Sequence, residues 1–518
     1  MSDAIVKNLS FGNEAKDQIF KGIEKLTKAV SSTLGASGQC VILEDDQGKP
    51  VITKDGVTVA NAITLLDPVE NMGATLLKEA ARKTVQEAGD GTTTATVLAH
   101  SILTEAYKNL EKDNVRNIKN GITTAVDKVV KYLEKKAIAV EGSMLDDVAA
   151  ISCNNDSELG KIIGDAFKAA GENGVVVMEP TTEDKTEFEL VDGVQYEKGL
   201  TNSHFITSKE KRVAELDNPL VLLIESPVES IRKIQSVLEY VIKNKKPLLI
   251  IGDLETEVLA TLAMNKVKGN IKVNVVNAPT YGINKKDTLS DLAALTGATV
   301  INEDLGDDLD VINPDFLGSC FKSTTNDTET ILQVDVSTNE IKELTSSVKE
   351  LIAKAKAPGE VIRLEKRLAR LSAKVAVVKV GANSEIELKE KSDRVEDAIC
   401  ATKAAVKEGI VSGGGIALRD ASNKTKAKGI GEKILLEAIK APFKTILNNA
   451  GLEEVGTPEE SMGVNVVTGE TVHMVDTGII DPLLVTKSAL KHAASVATTI
   501  LSTDCVINNL RVGDESNR

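Results

Sequence analysis

Tryptophan is absent from the 518 residues, and all aromatic residues together make up 3% of the chain. A core without large rings has to be filled by Ala, Val, Ile and Leu, which favours long helices and plain α/β layers. Cysteine is sparse. The five present, Cys40, Cys153, Cys320, Cys400 and Cys505, are odd in number, widely spaced and never arranged as C-x-x-C. That argues against a disulfide framework and a structural zinc site, and it fits a reducing compartment. The four histidines, His100, His204, His473 and His492, form no H-E-x-x-H; ordinary core or surface histidines are expected rather than a triad or a zinc site. No apolar run approaches the ~18 residues of a membrane span. The start, Met1-Ser2-Asp3-Ala4, has no basic segment followed by an apolar one, so the expectation is a cytoplasmic protein without membrane contact. An excess of positive charge is also missing. Lys and Arg number 62 against 77 Asp and Glu, a net charge of −15, which opposes nonspecific binding to nucleic acid.

What is present is a long chain of ordinary globular composition, 42% hydrophobic and 27% charged. It is too long for one core, so two to four domains are expected. Residues 9–30 read as an amphipathic helix, with Phe11, Ala15, Ile19, Ile23 and Leu26 at helical spacing. Val41–Leu43 and Val51–Thr53 flank a turn-rich stretch and read as a hairpin. A second turn, Lys54-Asp55-Gly56, leads into Val57–Ala60, and helical patterns follow at 69–87, 92–110 and 114–136. The texture then changes. Leu220–Ile224, Leu248–Ile251, Val273–Val276 and Thr299–Ile301 are short β-rich runs, separated by helical stretches near 228–243, 255–267 and 286–296. Such alternation implies parallel βαβ units. Residues 339–373 read as two charged helices broken at Ala357-Pro358-Gly359, Val375–Val380 as a returning strand, and the chain from about 394 as helical again. The simplest architecture is a helical domain built from both ends of the chain, with an α/β domain inserted in it.

The most informative stretch for chemistry is Ala88-Gly89-Asp90-Gly91-Thr92-Thr93-Thr94-Ala95-Thr96-Val97. A tight Gly-Asp-Gly turn enters a helix whose first turn is three threonines, which are poor helix formers. A helix N-terminus offers unpaired N–H groups and partial positive charge to a phosphate. Threonine hydroxyls add donors, and Asp90 could hold Mg²⁺ between phosphates. The plainer reading, Asp90 as an N-cap followed by surface threonines, has about equal weight on this segment alone. Thr33-Leu34-Gly35 at a helix end, Lys54-Asp55-Gly56 at a hairpin tip and Gly413-Gly414-Gly415 after a helix look like further walls of a nucleotide pocket. There is no G-x-x-x-x-G-K-[ST] and no G-x-G-x-x-G opening a βαβ unit. Any nucleotide site here therefore belongs to neither of those superfamilies.

Taken in order, these segments resemble those of group I chaperonins, of the GroEL type, nearly collinearly from about residue 8 to 510. The strings carrying the resemblance are Ile52-Thr53-Lys54-Asp55-Gly56-Val57, Glu70-Asn71-Met72-Gly73-Ala74, Ala88–Ala99, Arg394-Val395-Glu396-Asp397-Ala398, Gly413-Gly414-Gly415 and Gly478-Ile479-Ile480-Asp481-Pro482. The resemblance implies a multidomain α and α/β chaperonin fold. A mostly helical equatorial, ATP-binding domain would join 1–136 with 408–518. An intermediate domain would take 137–191 and 376–407, and an α/β apical domain 192–375. It implies an ATPase that uses Mg²⁺, with K⁺ as a further ion. Thr33, Leu34, Gly35, Lys54, Asp90, Gly91, Thr92, Thr93, Thr94 and Gly414 would line the phosphate and ribose side. Asn465, Val466 and Asp481 would frame the adenosine end. Asp90 resembles the Mg²⁺ ligand, Asp397 the carboxylate that activates water, and Asp55 a second carboxylate beside the terminal phosphate.

The same resemblance implies binding of non-native polypeptides and of a lid-type co-chaperonin through two apical helices, in a homo-oligomer of one or two seven-membered rings. The residues assigned to that face are Leu200, His204, Phe205, Ile234, Leu238, Leu259, Ala263 and Met264; the plainer alternative is that apolar residues there pack on the apical sheet. The chain departs from the family pattern in places. Ala36-Ser37-Gly38-Gln39 stands where the family has Pro, Lys, Gly and Arg, which removes two positive charges near the nucleotide and the neighbouring subunit. Ala373-Lys374 replaces a hinge glycine pair, while Gly193 and Gly409 match their hinge glycines. Lys112-Asp113-Asn114 replaces a small-residue turn, and Lys444 and Glu453 match a charge pair between rings. The leading functional expectation is an ATP-driven folding chamber. The alternatives are a protein-binding holdase with weak ATP cycling and a phosphotransferase acting on a small molecule.

Overall fold

The computed structural model describes residues 7–509 except 45–47, 141, 154, 172–174, 182, 197, 209–211, 279–282, 304–306, 308–313, 335–338, 355–359, 361–363, 365–366, 369–370, 372–373 and 454–458. Ala373 and Ala357-Pro358-Gly359 lie outside the described residues. The chain divides into two compact units. One holds 1–165, 178–187 and 378–518, the other 166–177 and 188–377.

The first unit begins with β1 (Lys7–Phe11), α1 (Gly12–Ser31), the hairpin β2 (Val41–Glu44) and β3 (Pro50–Thr53), α2 (Gly56–Ala62), α3 (Pro68–Ala88), α4 (Thr92–Tyr107), α5 (Val115–Lys136) and α6 (Met144–Ser152). Ala15, Ile19, Ile23 and Leu26 of α1 and Ile118, Ile122, Ala125, Val129 and Leu133 of α5 are all buried, as their spacing requires, whereas Phe11, expected in the α1 stripe, ends β1 instead and is 58% exposed. The hairpin pairs Ile42 with Ile52. Val57–Ala60 lies in α2, whose N-cap is Asp55. The buried members of the main core are all Ala, Val, Ile or Leu, which is the composition that a chain without tryptophan permits.

The second unit follows α7 (Ser157–Ala170), whose last residues belong to it. Its elements are β4 (Val175–Pro180), β5 (Glu187–Tyr196), β6 (Ala214–Asp217), β7 (Leu220–Ile224), α8 (Gln235–Asn244), β8 (Leu248–Ile251), α9 (Thr256–Val267), β9 (Val273–Val276), α10 (Ile283–Thr296), β10 (Val300–Ile301), β11 (Gly318–Ser319), β12 (Lys322–Thr325), β13 (Thr330–Gln333), α11 (Asn339–Lys354) and β14 (Lys374–Val380). Strands β10, β7, β8 and β9 form a parallel sheet in that order, with β11 antiparallel to β7. Alternate residues of its strands enter two separate cores. Val221, Leu223, Leu249 and Ile251 face α10 and α11, whereas Leu222, Ile224, Leu248 and Ile250 face α8 and α9. A parallel strand buried on both faces has to be apolar at every position, hence the continuous runs. The second sheet, in order β4-β14-β5-β13-β12-β6, is where sequence reading fell short, since it offered a single strand there. Gly193 sits in β5 opposite Gln333. A Cβ at this position would lie 2.4 Å from Val375 Cγ2, so close packing, rather than hinge freedom, explains the glycine in this conformation. Lys374 opens β14 in extended backbone that any residue adopts.

The chain returns to the first unit through β14 and continues as α12 (Glu385–Glu408), β15 (Ile410–Ser412), α13 (Ile416–Lys424), α14 (Ile430–Ala438), α15 (Ala441–Asn449), β16 (Met462–Val464), β17 (Thr471–His473), β18 (Ile480–Pro482), α16 (Leu483–Leu501) and β19 (Cys505–Asn509). β19 pairs with β1, so both ends of the described chain close one helical unit. No described helix is long and apolar enough to cross a membrane.

Candidate nucleotide site

The first unit contains a cavity of about 580 Å³. It is lined by Thr33, Leu34, Gly35, Lys54, Asp55, Asp90, Gly91, Thr92, Thr93, Thr94, Asp397, Gly414, Asn465, Val466 and Asp481, every residue that the sequence assigned to a nucleotide site. Seven separate stretches of chain converge to supply them.

The N-terminus of α4 is the centre of the arrangement. Gly91 is its N-cap, left-handed at φ 98°, and no side chain caps the helix. A Cβ on Gly91 would also meet Val485 Cγ1 at 2.8 Å, so only glycine fits. Asp90 accepts from the Gly91 N–H and is not the cap, and Thr92 is buried rather than on the surface. The plainer reading of this segment therefore fails. Ala95 N–H donates to Gly91 O at 2.9 Å, which leaves the N–H groups of Thr92, Thr93 and Thr94 as the open first turn. The Thr92 hydroxyl is buried without an acceptor among the described residues. Open N–H groups, helix-end charge and an unsatisfied hydroxyl together form a receptor for an anion.

The surrounding walls are fixed by backbone geometry. A Cβ on Gly56 would fall 2.3 Å from Thr93 Oγ1, which places the Lys54-Asp55-Gly56 tip against the start of α4. Asp55 caps α2, with Oδ1 accepting from Val57 N–H at 2.9 Å and Oδ2 from Thr58 N–H and Thr58 Oγ1, both at 2.7 Å. Its carboxylate is held rigid by these bonds. Thr33 donates through Oγ1 to Val30 O at 2.9 Å, and Asn449 Nδ2 donates to Ser31 O and Leu34 O, each at 2.9 Å, pinning that helix end. Gly414 and Gly415 are left-handed at φ 63° and 75°. Their N–H groups donate to Asp481, which the pairing of β15 with β18 places opposite Val411. Asn465 Oδ1 accepts from Val467 N–H at 3.0 Å in the turn between β16 and β17. Phe443, Ile446, Met474 and Ile479 add an apolar wall that sequence reading did not identify.

α12 brings Asp397 to the cavity. A Cβ on Gly89 would lie 2.4 Å from Cys400 Cβ, so α12 packs directly on the Gly89-Asp90-Gly91 turn. Burial, then the neighbouring charges of Asp90 and Asp55, pushes the Asp397 carboxyl well above the usual range. Burial and Asp55 also raise Asp90, against the Gly91 hydrogen bond. Burial and Asp90 raise Asp481 to about 7. Seven carboxylate residues line the cavity, namely Asp55, Asp90, Asp147, Glu390, Asp393, Asp397 and Asp481, against Lys54 and Arg394 as its bases. Carboxylates that oppose one another's ionisation are relieved by a cation between them, so this wall suits a metal-bound polyanion. No group of three or more His, Cys, Asp or Glu among the described residues is arranged to enclose a metal.

The second unit treats its assigned residues differently. Phe205 and Ile234 are fully buried in the core below the parallel sheet, and Ala263 is 5% exposed beside them. These three present no surface to a client here, which corrects that part of the assignment. Leu200, Leu238 and Leu259 are half-buried against the same core. His204 is exposed and bonded to Asn202, and Met264 is 56% exposed. Tyr240, Ile242 and Val267 are exposed as well. The outer faces of α8 and α9 thus carry Tyr240, Ile242, Met264 and Val267, while Val237, Val241, Val258 and Leu262 form the inner ones.

The sequence matches the TCP-1/cpn60 chaperonin family over residues 26–511. Two crystal structures of the chaperonin gp146 from bacteriophage EL 2 (Pseudomonas aeruginosa), both in presence of ATP-BeFx, share the fold. The one in crystal form II superposes with a TM-score of 0.72 at 21% identity, covering 98% of this chain and 100% of that one. The one in crystal form I has a TM-score of 0.64 at 22% identity, covering 97% and 99%.

Proposed function

The chain belongs to the TCP-1/cpn60 chaperonin family, and from that premise we propose that it binds ATP in the cavity at α4 and hydrolyses it to drive an ATP-dependent chaperone cycle. The observation that carries the reading is the convergence of Thr33, Lys54, Asp90, Thr92–Thr94, Asp397, Gly414 and Asp481 on one cavity whose helix N-terminus is open. The N–H groups and hydroxyls of Thr92, Thr93 and Thr94 bind phosphate, with Lys54 beside them. Thr33, Leu34, Gly35, Gly91 and Gly414 let backbone approach the phosphate and ribose. Asn465 and Val466 hold the adenosine end, and Asp481 fixes the Gly414-Gly415 turn. Mg²⁺, when bound at Asp90, supplies charge neutralisation between the phosphates. Asp397 takes the proton of the attacking water, and its raised affinity for a proton suits a base. Asp55, occupied in capping α2, sets the position of Lys54 and adds negative charge near Asp90. K⁺ is a further candidate ion for so acidic a wall.

In this reading the chain works as three domains with the boundaries given above, in a ring of identical copies closed by heterologous contacts. Exposed apolar residues of α8 and α9 capture non-native polypeptides through nondirectional contact, and a lid-type co-chaperonin competes for the same face. Lys444 is ion-paired to Glu437 within its own chain at 3.2 Å, and Asn114 caps α5 through Asn117 N–H at 2.8 Å. A double ring that separates easily is the expectation, and mass measured across salt and nucleotide conditions tests it; a predominantly monomeric or dimeric species would contradict the ring. The five unpaired cysteines accord with a reducing, cytoplasmic setting.

The deciding experiment measures ATP turnover with and without an unfolded protein and searches for a phosphorylated small product. Turnover that responds to unfolded protein, with no such product, is expected. Protein binding without turnover would make the chain a holdase, and a phosphorylated small product would make it a phosphotransferase.

A further inference from the structure

The cavity's charge balance points to a residue with no role so far. Lys54 and Arg394 are the two bases among seven acidic residues on its wall. The stretch after Gly35, Ala36-Ser37-Gly38-Gln39, contributes no cation. A triphosphate entering this site therefore meets half of the wall's fixed positive charge at Arg394.

Geometry places that charge beside the reaction. Glu390, Arg394 and Asp397 stand at i, i+4 and i+7 of α12, hence on one face of the helix, and all three line the cavity. Arg394 Nη2 donates to Glu390 Oε2 at 2.7 Å, which fixes the guanidinium. Its Nε is buried and has no acceptor among the described residues. A buried guanidinium nitrogen left unsatisfied is costly unless a ligand supplies the acceptor. The Lys54 ammonium is pushed down, chiefly by burial and also by the positive charge of Arg394, and both cations line the same cavity.

We propose that Arg394 acts directly on the terminal phosphate of bound ATP and stabilises the charge that develops there during hydrolysis. The proposal rests on the cavity being the ATP site. In the step, water oxygen bonds to the γ-phosphorus as the bond from that phosphorus to the β,γ-bridging oxygen breaks. The water proton passes to Asp397, the electron pair leaves with ADP, and Arg394 donates to the equatorial oxygens. Planar two-pronged donation suits those oxygens in a way that an ammonium does not. Glu390 is then a positioning residue for the guanidinium.

The test compares Arg394→Met, Arg394→Lys and Glu390→Gln with the unaltered protein. It measures single-turnover hydrolysis of Mg·ATP and affinity for ADP with beryllium fluoride, a ground-state mimic, and with aluminium fluoride, a transition-state mimic. Arg394→Met should slow single turnover by roughly 10²–10³-fold. Its affinity for the aluminium fluoride complex should fall by a similar factor, and that for the beryllium fluoride complex by less than about tenfold. Arg394→Lys should recover part of the loss, which separates lost charge from lost folding, and Glu390→Gln should cost only about three- to tenfold. Turnover of Arg394→Met within threefold of the unaltered protein would overturn the proposal. So would equal loss of affinity for the two mimics, since a residue that merely braces α12 does not discriminate between them. Absence of hydrolysis by the unaltered protein would instead overturn the ATP reading on which the proposal stands.

Discussion

The cavity at α4 and the outer faces of α8 and α9 make opposite demands on sequence. The cavity needs particular atoms at particular places: an open helix start, a left-handed Gly91 and carboxylates close enough to disturb one another. On the proposed reading, the α8–α9 faces need only exposed apolar area, which Met264, Val267, Ile242 and Tyr240 provide. A site made of directional chemistry tolerates little change, whereas a surface made of hydrophobic area can change residue by residue and keep its function. Substitution should therefore act sharply in the first region and gradually in the second.

The largest expected effect is at Asp397. Asp397→Ala should slow single-turnover hydrolysis by roughly 10²–10⁴-fold while leaving nucleotide affinity nearly intact, because it removes a base and no phosphate contact. Asp90→Ala should do the reverse and weaken Mg·ATP binding by about 10–100-fold, the scale of a charge-assisted contact. Equilibrium titration beside single-turnover kinetics separates them, and equal loss of affinity in both variants would contradict this division. Met264→Glu combined with Val267→Glu should reduce capture of an unfolded protein by about tenfold, given that each side chain contributes ~1.5–3 kcal/mol when fully buried. ATP turnover should stay unchanged, and a coupled fall in turnover would blur the contrast between the regions.

The smallest effect concerns pH. Asp481 has a carboxyl raised from 3.8 to about 7. Its proton is held more tightly in the folded protein than in the unfolded chain, so its contribution to stability is complete below about pH 4 and is lost as pH rises through 7. Asp481→Asn keeps an acceptor for the Gly414 and Gly415 N–H groups but cannot ionise. Nucleotide-free variant should lose less melting temperature than the unaltered protein between pH 5 and pH 8, by ~2 °C. Parallel melting curves would show that ionisation of Asp481 does not strain the fold.

The same contrast explains what the sequence revealed. Thr92–Thr94 were legible because three β-branched residues in a first helical turn demand a reason, and the lack of any side-chain cap on α4 answers it. Asp397 has no local signature on a helix as charged as α12; only the string around it singled it out. Phe443, Ile446 and Leu447 reach the cavity from α15 by tertiary packing alone. Arg394 could have been found from its spacing to Asp397 once that residue was placed. The parallel strands were legible as continuous apolar runs, since both faces are covered. β5, reading EFELVDGVQY, starts as an alternation that breaks at Leu190-Val191 and again at Asp192-Gly193, so its pattern was too weak to stand out. Phe205 and Ile234 were assigned to a surface by resemblance alone; they lie in short turns outside α8 and α9, and only packing shows that they face the core.

The most direct test of the central claim is an experimental density map of the protein with Mg²⁺ and ATP-BeFx. The account predicts phosphate density against the N–H groups of Thr92, Thr93 and Thr94, a metal at Asp90 and the base beside Phe443 and Ile479. Nucleotide bound elsewhere, or an empty cavity with α4 capped by a protein side chain, would contradict it.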